Sequence, residues 1–210
     1  MLCVSGVVRL VERDRLVLWE LERWRVIRAK EIKVLGGFNG DRVMYRRLRL
    51  LIDYGYLERK RYIYGMAGIY TITNKGRKEL QLPLKNQKVS IALIEHDLAV
   101  VDSYIYFKKR FSLDRKQVTS EKELREDFKP GTHYPDFVFA IDDKTYCVEV
   151  EFTLKNKTRL ENNIKSNYLE YDTQYWIIKK DSVRLMKLLQ VFEETYPNIE
   201  ILYWEDICLC

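Results

Sequence analysis

The stretch that decides the fold of this chain is residues 133–153, HYPDFVFAIDDKTYCVEVEFT. It contains two runs, rich in aromatic and β-branched residues, that alternate with a period of two on either side of Asp142 and Asp143. Such alternation around a polar turn predicts a β-hairpin. If these two aspartates form the turn, Ile141 pairs with Lys144, and this pair fixes the register of the whole hairpin.

Three carboxylates fall on one face of this predicted hairpin. The two-residue turn sets Asp136 opposite Glu149, and Glu151 shares that face because alternate strand residues point to the same side. A four-residue turn sets Asp136 opposite Glu151 instead. Directly opposed Cβ atoms are roughly 5 Å apart, and two carboxylates at that distance repel by about 3 kcal/mol at an effective dielectric of about 20. A divalent cation, a protonated carboxyl group or a neighbouring Lys or Arg would offset this cost.

Oxygen ligands of this kind suit Mg²⁺ or Mn²⁺, so Asp136 and Glu149 are candidate metal ligands. The simpler interpretation is that Glu149 and Glu151 form the solvent face of an amphipathic strand and pair with Lys155 or Arg159. The residue pattern alone leaves both interpretations open.

Length and composition favour a folded chain without a membrane segment. The 210 residues can form one large domain or two small ones, and a hydrophobic content of 47% suffices for packed cores. No apolar run approaches the roughly 20 residues that span a bilayer, and the short apolar start soon becomes charged, unlike a signal peptide. The four cysteines are scattered, which predicts neither a disulfide framework nor a zinc site. We expect a cytoplasmic protein with reduced thiols.

Positive charge is concentrated in the first part of the chain. The net charge is +6, but residues 1–80 carry 18 Lys and Arg against 9 Asp and Glu, whereas the remainder carries 19 against 22. A basic first third joined to a mildly acidic remainder is typical of a nucleic-acid-binding module attached to a second domain. A solvated basic surface without an anionic partner is the alternative.

Helical periodicity in this basic part predicts helices at residues 12–25, 28–35 and 42–54. A hairpin over residues 56–73 follows Gly55, and Asn74 begins a further helical piece. The third helix has two distinct faces, one of them apolar. The other face carries a group spaced i, i+3, i+4 and i+7, here named the basic ridge: Arg42, Tyr45, Arg46 and Arg49.

Three helices followed by a hairpin, with RRLRLLIDYGYLERK at 46–60 and GIYTITNKG at 68–76, resemble a winged helix-turn-helix. That resemblance implies a DNA-binding domain at residues 1–82, followed by a linker at 83–88. The third helix would enter the major groove and the basic ridge would contact phosphates and base edges. The wing would contact phosphates through Arg59, Lys60 and Arg61. Some winged helices bind protein instead.

The second domain is expected at residues 89–210. Its predicted elements are a long helix at 89–111, a strand or short helix at 117–127, the hairpin, helices at 160–170 and 183–196, and strands at 173–180 and 199–203. This order predicts an α/β arrangement with a mixed sheet flanked by helices. His96 lies beside the apolar stripe of the long helix, where a lone histidine is more often structural than catalytic.

Pro135-Asp136 on one strand and Glu149-Val150-Glu151 on the next resemble the PD-(D/E)xK fold of restriction endonucleases. Together with the preceding winged helix and the IEHDLAVVD segment at 94–102, they resemble the plasmid replication-relaxation family of bacterial mobile elements. The nuclease resemblance implies a catalytic group of Asp136, Glu149, Glu151 and Lys155, with Mg²⁺ or Mn²⁺ on Asp136 and Glu149. Glu151 stands where the fold usually has lysine, and Lys155, Lys157 or Lys165 would supply a displaced ammonium.

Three functions follow from these patterns and resemblances. The leading one is a double-stranded-DNA-binding protein in plasmid or mobile-element replication control or transcription, with a degenerate nuclease-like domain. The second is a Mg²⁺-dependent endonuclease targeted by the winged helix. The third is an assembly module that binds a replication or mobilisation protein. Winged helices commonly bind two-fold sites as dimers, so a homodimer is a further expectation; Trp19 and Trp24 suit such pairing or belong to the core.

Overall fold

A computed structural model of the chain describes residues 9–85, 88–127, 131–153 and 156–208. The chain divides into two compact units, Met1–Ile94 and Glu95–Cys210. The predicted linker at 83–88 lies near the end of the first unit. None of the helices in the described ranges is both long and apolar enough to cross a bilayer.

The first unit combines four helices with a small antiparallel sheet in the order β1-β3-β2. The three predicted helices and the predicted hairpin correspond to α1, α2, α3 and β2–β3, with outer bounds that differ by at most one residue. In chain order the elements are α1 (Glu12–Trp24), β1 (Ile27–Arg28), α2 (Ala29–Leu35), α3 (Asp41–Asp53), β2 (Leu57–Lys60), β3 (Ile69–Ile72) and α4 (Asn74–Glu79).

The core of this unit is formed largely by α1, α3 and the sheet. Periodic apolar residues place Leu18 and Leu21 of α1 and Leu48 and Leu51 of α3 in the interior, each at most 1% exposed. Trp24 is also buried, at 4% exposure. It therefore belongs to the core.

The end of α3 follows from one glycine. Gly55 takes a φ of +73°, a conformation that glycine adopts without a steric penalty. Its amide donates to the carbonyl of Ile52 at 2.8 Å, and the amide of Tyr56 donates to that of Leu51 at 2.9 Å. These two bonds form a Schellman motif, which ends the helix and directs the chain into β2.

The second unit contains a five-stranded mixed sheet in the order β4-β5-β6-β7-β8. Its first three strands pair antiparallel and its last three pair parallel. The prediction of helices combined with a mixed sheet is thus confirmed. The elements are α5 (Ile94–Phe111), β4 (Val118–Ser120), α6 (Glu121–Leu124), β5 (Phe137–Ile141), β6 (Lys144–Val150), α7 (Lys157–Glu170), β7 (Thr173–Ile178), α8 (Val183–Glu193), β8 (Ile199–Tyr203) and α9 (Trp204–Ile207).

Helices cover both faces of this sheet. Trp176 and Ile178 of β7 pack into a cluster with residues of α7 and α8. The intervening Tyr175 points to the opposite face, where its ring centroid lies 4.6 Å from that of Phe107 on α5. Because alternate strand residues point to opposite faces, α5 lies on one side of the sheet and the pair α7 and α8 on the other.

The hairpin β5–β6 has the predicted two-residue turn. Ile141 pairs with Lys144, and Phe137 pairs with Val148. Asp142 takes a φ of +50°, in the left-handed region that aspartate adopts more readily than most residues. This register brings Asp136, which directly precedes β5, to the end of β6 that carries Glu149.

Several bounds in the second unit differ from the prediction. Helix α7 begins three residues earlier, α8 ends three residues earlier and β7 ends two residues earlier. The long helix begins at Ile94, later than predicted, because a 3-10 turn at Ile91–Leu93 precedes it. The segment at 117–127, predicted as strand or helix, contains both β4 and α6. Helix α9 was not predicted, since four residues are too few to show helical periodicity.

Candidate functional site

Helix α3 separates buried from exposed side chains as its periodicity predicts. Met44 and Leu48 are each 1% exposed, whereas Tyr45 between them is 52% exposed. All four members of the basic ridge, Arg42, Tyr45, Arg46 and Arg49, are exposed to solvent. Arg49 makes a long ion pair, with 4.0 Å between its Nε and Asp53 Oδ2. The ridge thus presents cationic groups outward.

Arg47 lies next to the ridge but points elsewhere. Its Nε donates to Asp14 Oδ1 at 2.7 Å, and its Nη2 pairs with Asp14 Oδ2. Nη2 also donates to the carbonyl of Arg9 at 3.2 Å. The hydrogen bond and charge of fully buried Asp14 raise the pKa of Arg47 despite partial burial. Arg47 therefore joins α3 to α1 and is not part of the basic ridge.

The hairpin β2–β3 carries the second group of predicted DNA contacts. Arg59, Lys60 and Arg61 are all exposed. The Arg59 guanidinium lies 5.9 Å from the ring centroid of Tyr70 on the paired strand. A Cβ on Gly68 would come within 2.7 Å of Arg59 Nε, so a glycine at 68 leaves room for this arginine. Lys60 forms an ion pair with Glu58 of the same strand.

The second unit brings Asp136 and Glu149 together at the end of the β5–β6 pair. Asp136 Oδ2 accepts a hydrogen bond from the Val150 amide at 2.7 Å. Glu149 is 8% exposed, and its Oε1 accepts a hydrogen bond from Asn167 Nδ2 of α7 at 2.9 Å. The two carboxylates are near enough that the charge of Asp136 acts to raise the pKa of Glu149.

Each of these carboxylates pairs with a histidine, and the chain contains two histidines in all. His133 Nε2 contacts Glu149 Oε1. His96 Nε2 lies 3.4 Å from Asp136 Oδ1, while its Nδ1 lies 3.6 Å from Asp97 Oδ1. His96 therefore contacts the carboxylate cluster directly. We call the group His96, His133, Asp136, Glu149 and Asn167 the His-carboxylate cluster.

Burial and pairing act on these groups in opposite directions. Burial lowers the pKa of His96, but hydrogen bonds and charges from Asp136 and Asp97 outweigh it and raise the pKa to about 10. Burial likewise lowers the pKa of His133, and Glu149 reverses the effect and raises it. For Glu149, burial and the charge of Asp136 together outweigh the hydrogen bonds and charge from His133 and Asn167, so the pKa is raised. Both imidazoles are thus favoured in their charged form next to the carboxylates.

The other two predicted catalytic residues, Glu151 and Lys155, are not members of the His-carboxylate cluster. Glu151 is partly exposed, and its Oε1 accepts a hydrogen bond from the Thr153 amide at 3.1 Å. Lys155 lies outside the described residues. Arg159, at the start of α7, is near enough for its charge to lower the pKa of His133. It is a cation that adjoins the His-carboxylate cluster.

The fit of this cluster to a metal ion is partial. Within residues 9–85, 88–127, 131–153 and 156–208, no group of three or more His, Cys, Asp or Glu is arranged to hold a metal ion. An ion held by Asp136 and Glu149 would take its other ligands from water or from a substrate phosphate, as Mg²⁺ commonly does. Such an ion would also replace the imidazoles next to these carboxylates.

Sequence reasoning missed three members of this cluster. His133 lies three residues before Asp136, and the scarcity of histidine in the chain was a clue that both histidines have a shared role. Asn167 had no comparable clue, because polar residues on a helix are usually solvated.

Comparison of the chain with protein-family models, curated proteins and solved structures found no match.

Proposed function

We propose that this protein binds double-stranded DNA through α3 and the β2–β3 hairpin, which together act as a winged helix-turn-helix. The observation that carries the proposal is the outward-facing basic ridge. Three arginines and a tyrosine on one helix face are exposed, while the opposite face forms the core. Exposed cations of this kind neutralise phosphates, and arginine also forms bidentate contacts to guanine in the major groove.

The hairpin supports the same interface. It follows α3 directly after the Gly55 turn, and its exposed Arg59, Lys60 and Arg61 extend the basic character of the helix. Phosphate contacts from such residues fix the register of a protein on the duplex without reading sequence. In winged helix-turn-helix domains the recognition helix commonly contacts base edges in the major groove, and the hairpin contacts the phosphate backbone.

The resemblance described above gives the proposed setting, which is replication control or transcription in a plasmid or other mobile element. The order α5, β4, α6, β5, β6, α7, β7 supports a restriction-endonuclease-like fold for the second unit. In this proposal the second unit is a degenerate nuclease-like domain. Its two carboxylates are paired with imidazoles, and Glu151 occupies the position of the usual lysine.

Binding to a fluorescent duplex, measured by anisotropy, tests the DNA interface. Arg46→Ala combined with Arg49→Ala is expected to weaken binding by roughly tenfold or more, since each arginine contact to a base or phosphate contributes about 1 kcal/mol or more. The matched control is Lys78→Ala with Lys85→Ala, which removes the same charge from exposed positions outside α3 and the hairpin. Equal affinity of the two double variants would contradict the assignment.

A second candidate function is a divalent-metal-dependent endonuclease. The observation that favours it is that Asp136, directly before β5, and Glu149 of the adjacent β6 meet at the place where the nuclease resemblance implies a metal. Bound Mg²⁺ or Mn²⁺ would activate water and stabilise charge on the scissile phosphate. Asp136 and Glu149 would hold the ion, and Arg159 would attract the anionic substrate.

Plasmid cleavage tests this second candidate. Supercoiled DNA is incubated with the protein and Mg²⁺ or Mn²⁺, with Asp136→Ala as the matched inactive variant. The endonuclease hypothesis predicts nicked or linear product that disappears in the variant. Cleavage that survives the substitution points to another site or a contaminant, and absence of cleavage on supercoiled, nicked and branched DNA favours the degenerate fold.

A further inference from the structure

A cavity of about 290 Å³ lies beside α3 in the first unit. Its apolar wall consists of Val11, Phe38, Val43 and Leu50. Two of these residues are unusually exposed for aliphatic side chains, with Val11 at 50% and Val43 at 47%. The volume is at the lower end of the range for small-molecule sites, which are mostly apolar with a few polar groups that orient the ligand.

The cavity and the basic ridge share one residue. Val43, Arg46, Arg47 and Leu50 line the cavity and are spaced i, i+3, i+4 and i+7 on α3. At about 100° per residue, this stripe lies between the buried face of the helix and the ridge. Arg46 is at the edge where the stripe meets the ridge. A molecule in the cavity and a duplex on the ridge would therefore both contact Arg46.

The charges around the cavity favour an anion. Arg47 and Asp14 also line it, but they neutralise each other in the ion pair between α3 and α1. Arg13 lies with its guanidinium 4.9 Å from the ring centroid of Phe38. Across the described ranges Arg13 has no carboxylate partner, and the side chain of Arg46 makes no ion pair or hydrogen bond. Two positive charges thus adjoin an apolar wall.

We propose that this cavity binds a small anion with an apolar body, such as an aromatic carboxylate, through Arg13 and Arg46, and that occupancy weakens DNA binding. The apolar body would cover Val11, Val43 and Leu50 and so reduce their exposure to water. The anionic group would pair with the two arginines and remove Arg46 from the ridge. The effect on DNA rests on the proposed DNA-binding function, whereas ligand binding does not.

Isothermal titration calorimetry of the full chain with 2-naphthoate tests ligand binding, with neutral 2-naphthamide as the matched probe. We expect the carboxylate to bind more tightly than the amide, and Arg13→Gln to weaken the carboxylate by roughly tenfold while leaving the amide nearly unchanged. Val43→Phe fills the cavity and is expected to abolish binding of both probes. Val34→Phe, at a similarly exposed valine of α2 that does not line the cavity, is the control.

Absence of naphthoate binding overturns the proposal, as does equal binding by the wild type and Val43→Phe. Duplex binding is then measured with and without saturating 2-naphthoate. The proposal predicts weaker DNA binding in the wild type and in Val34→Phe, but no change on adding naphthoate to Val43→Phe. Unchanged DNA affinity in the liganded wild type contradicts the coupling. A chain that binds no duplex even without ligand refutes the proposed function, while calorimetry still decides the cavity.

Discussion

The charged groups of the basic ridge of α3 are exposed to solvent, whereas those of the His-carboxylate cluster are paired with each other. Arg42 and Arg46 on the ridge are exposed and have no ion pair in the described ranges. In the cluster each carboxylate has a histidine partner, and Glu149 is almost fully buried. The difference indicates which charges are available to an external anion. The ridge offers its cations to a partner, whereas the cluster satisfies its charges within the protein.

The largest expected difference in stability is between substitutions of two adjacent residues of α3, Arg46 and Arg47. Arg47→Ala leaves Asp14 buried without its cation, so we expect a loss of about 3–5 kcal/mol in unfolding free energy. Arg46→Ala removes an exposed side chain and should change stability by no more than about 0.5 kcal/mol. Urea denaturation of both variants measures the difference. Equal stabilities would mean that Arg47 does not anchor α3.

A smaller loss of unfolding free energy is expected from a substitution in the His-carboxylate cluster. His133→Ala leaves the buried Glu149 with Asn167 but without a positive partner, and we expect it to cost about 2–3 kcal/mol at neutral pH. Adding Glu149→Gln to this variant should restore part of the loss, because a neutral amide needs no cation. A double-mutant cycle from denaturation curves gives the coupling energy. Additive effects of the two substitutions would show that the pair is not coupled.

The pH dependence of stability distinguishes the two regions further. The pKa of His96 is raised from 6.5 to about 10 by its carboxylate partners. The folded state therefore binds this proton more tightly than the unfolded chain does. Its contribution to stability is complete below about pH 6.5 and is lost as the pH rises to about 10.

The measurement is the difference in unfolding free energy between the wild type and His96→Gln across that pH range. We expect the difference to shrink as the pH rises. Arg46→Ala, which changes a cation on the ridge, serves as the control and should show no such trend. A difference for His96→Gln that grows with pH would contradict the pairing of His96 with Asp136.

The smallest predicted effect is at the hairpin. Arg61→Ala should bring the negative slope of log affinity against log salt concentration about 0.9 closer to zero, which is the contribution of one phosphate contact. Lys60→Ala should reduce it by less, because Lys60 is already paired with Glu58. Anisotropy titrations at several salt concentrations measure both slopes. A larger change for Lys60 than for Arg61 would reverse the assigned roles.

The same comparison explains what could be predicted from sequence. The two faces of α3, the glycine that ends it and the register of the β5–β6 hairpin all follow from local periodicity and turn residues. The pairing of His96 with Asp136 joins residues 40 positions apart on different elements, and the contact between Glu149 and Asn167 depends on how α7 packs against the sheet. No local pattern encodes these contacts. Arg47 illustrates the same limit, because helical spacing alone does not assign its side chain to a face of α3, whereas its contact with Asp14 does.

The salt dependence of duplex binding by the full chain tests the central claim most directly. If the basic ridge and the hairpin contact the phosphate backbone, log affinity should fall linearly with log salt concentration, with a slope between about −3 and −5 between about 50 and 200 mM. Arg42→Ala with Arg46→Ala and Arg49→Ala should bring the slope about 2 to 3 closer to zero. A wild-type slope near zero, or the same slope in the triple variant, would contradict DNA binding by this face of α3.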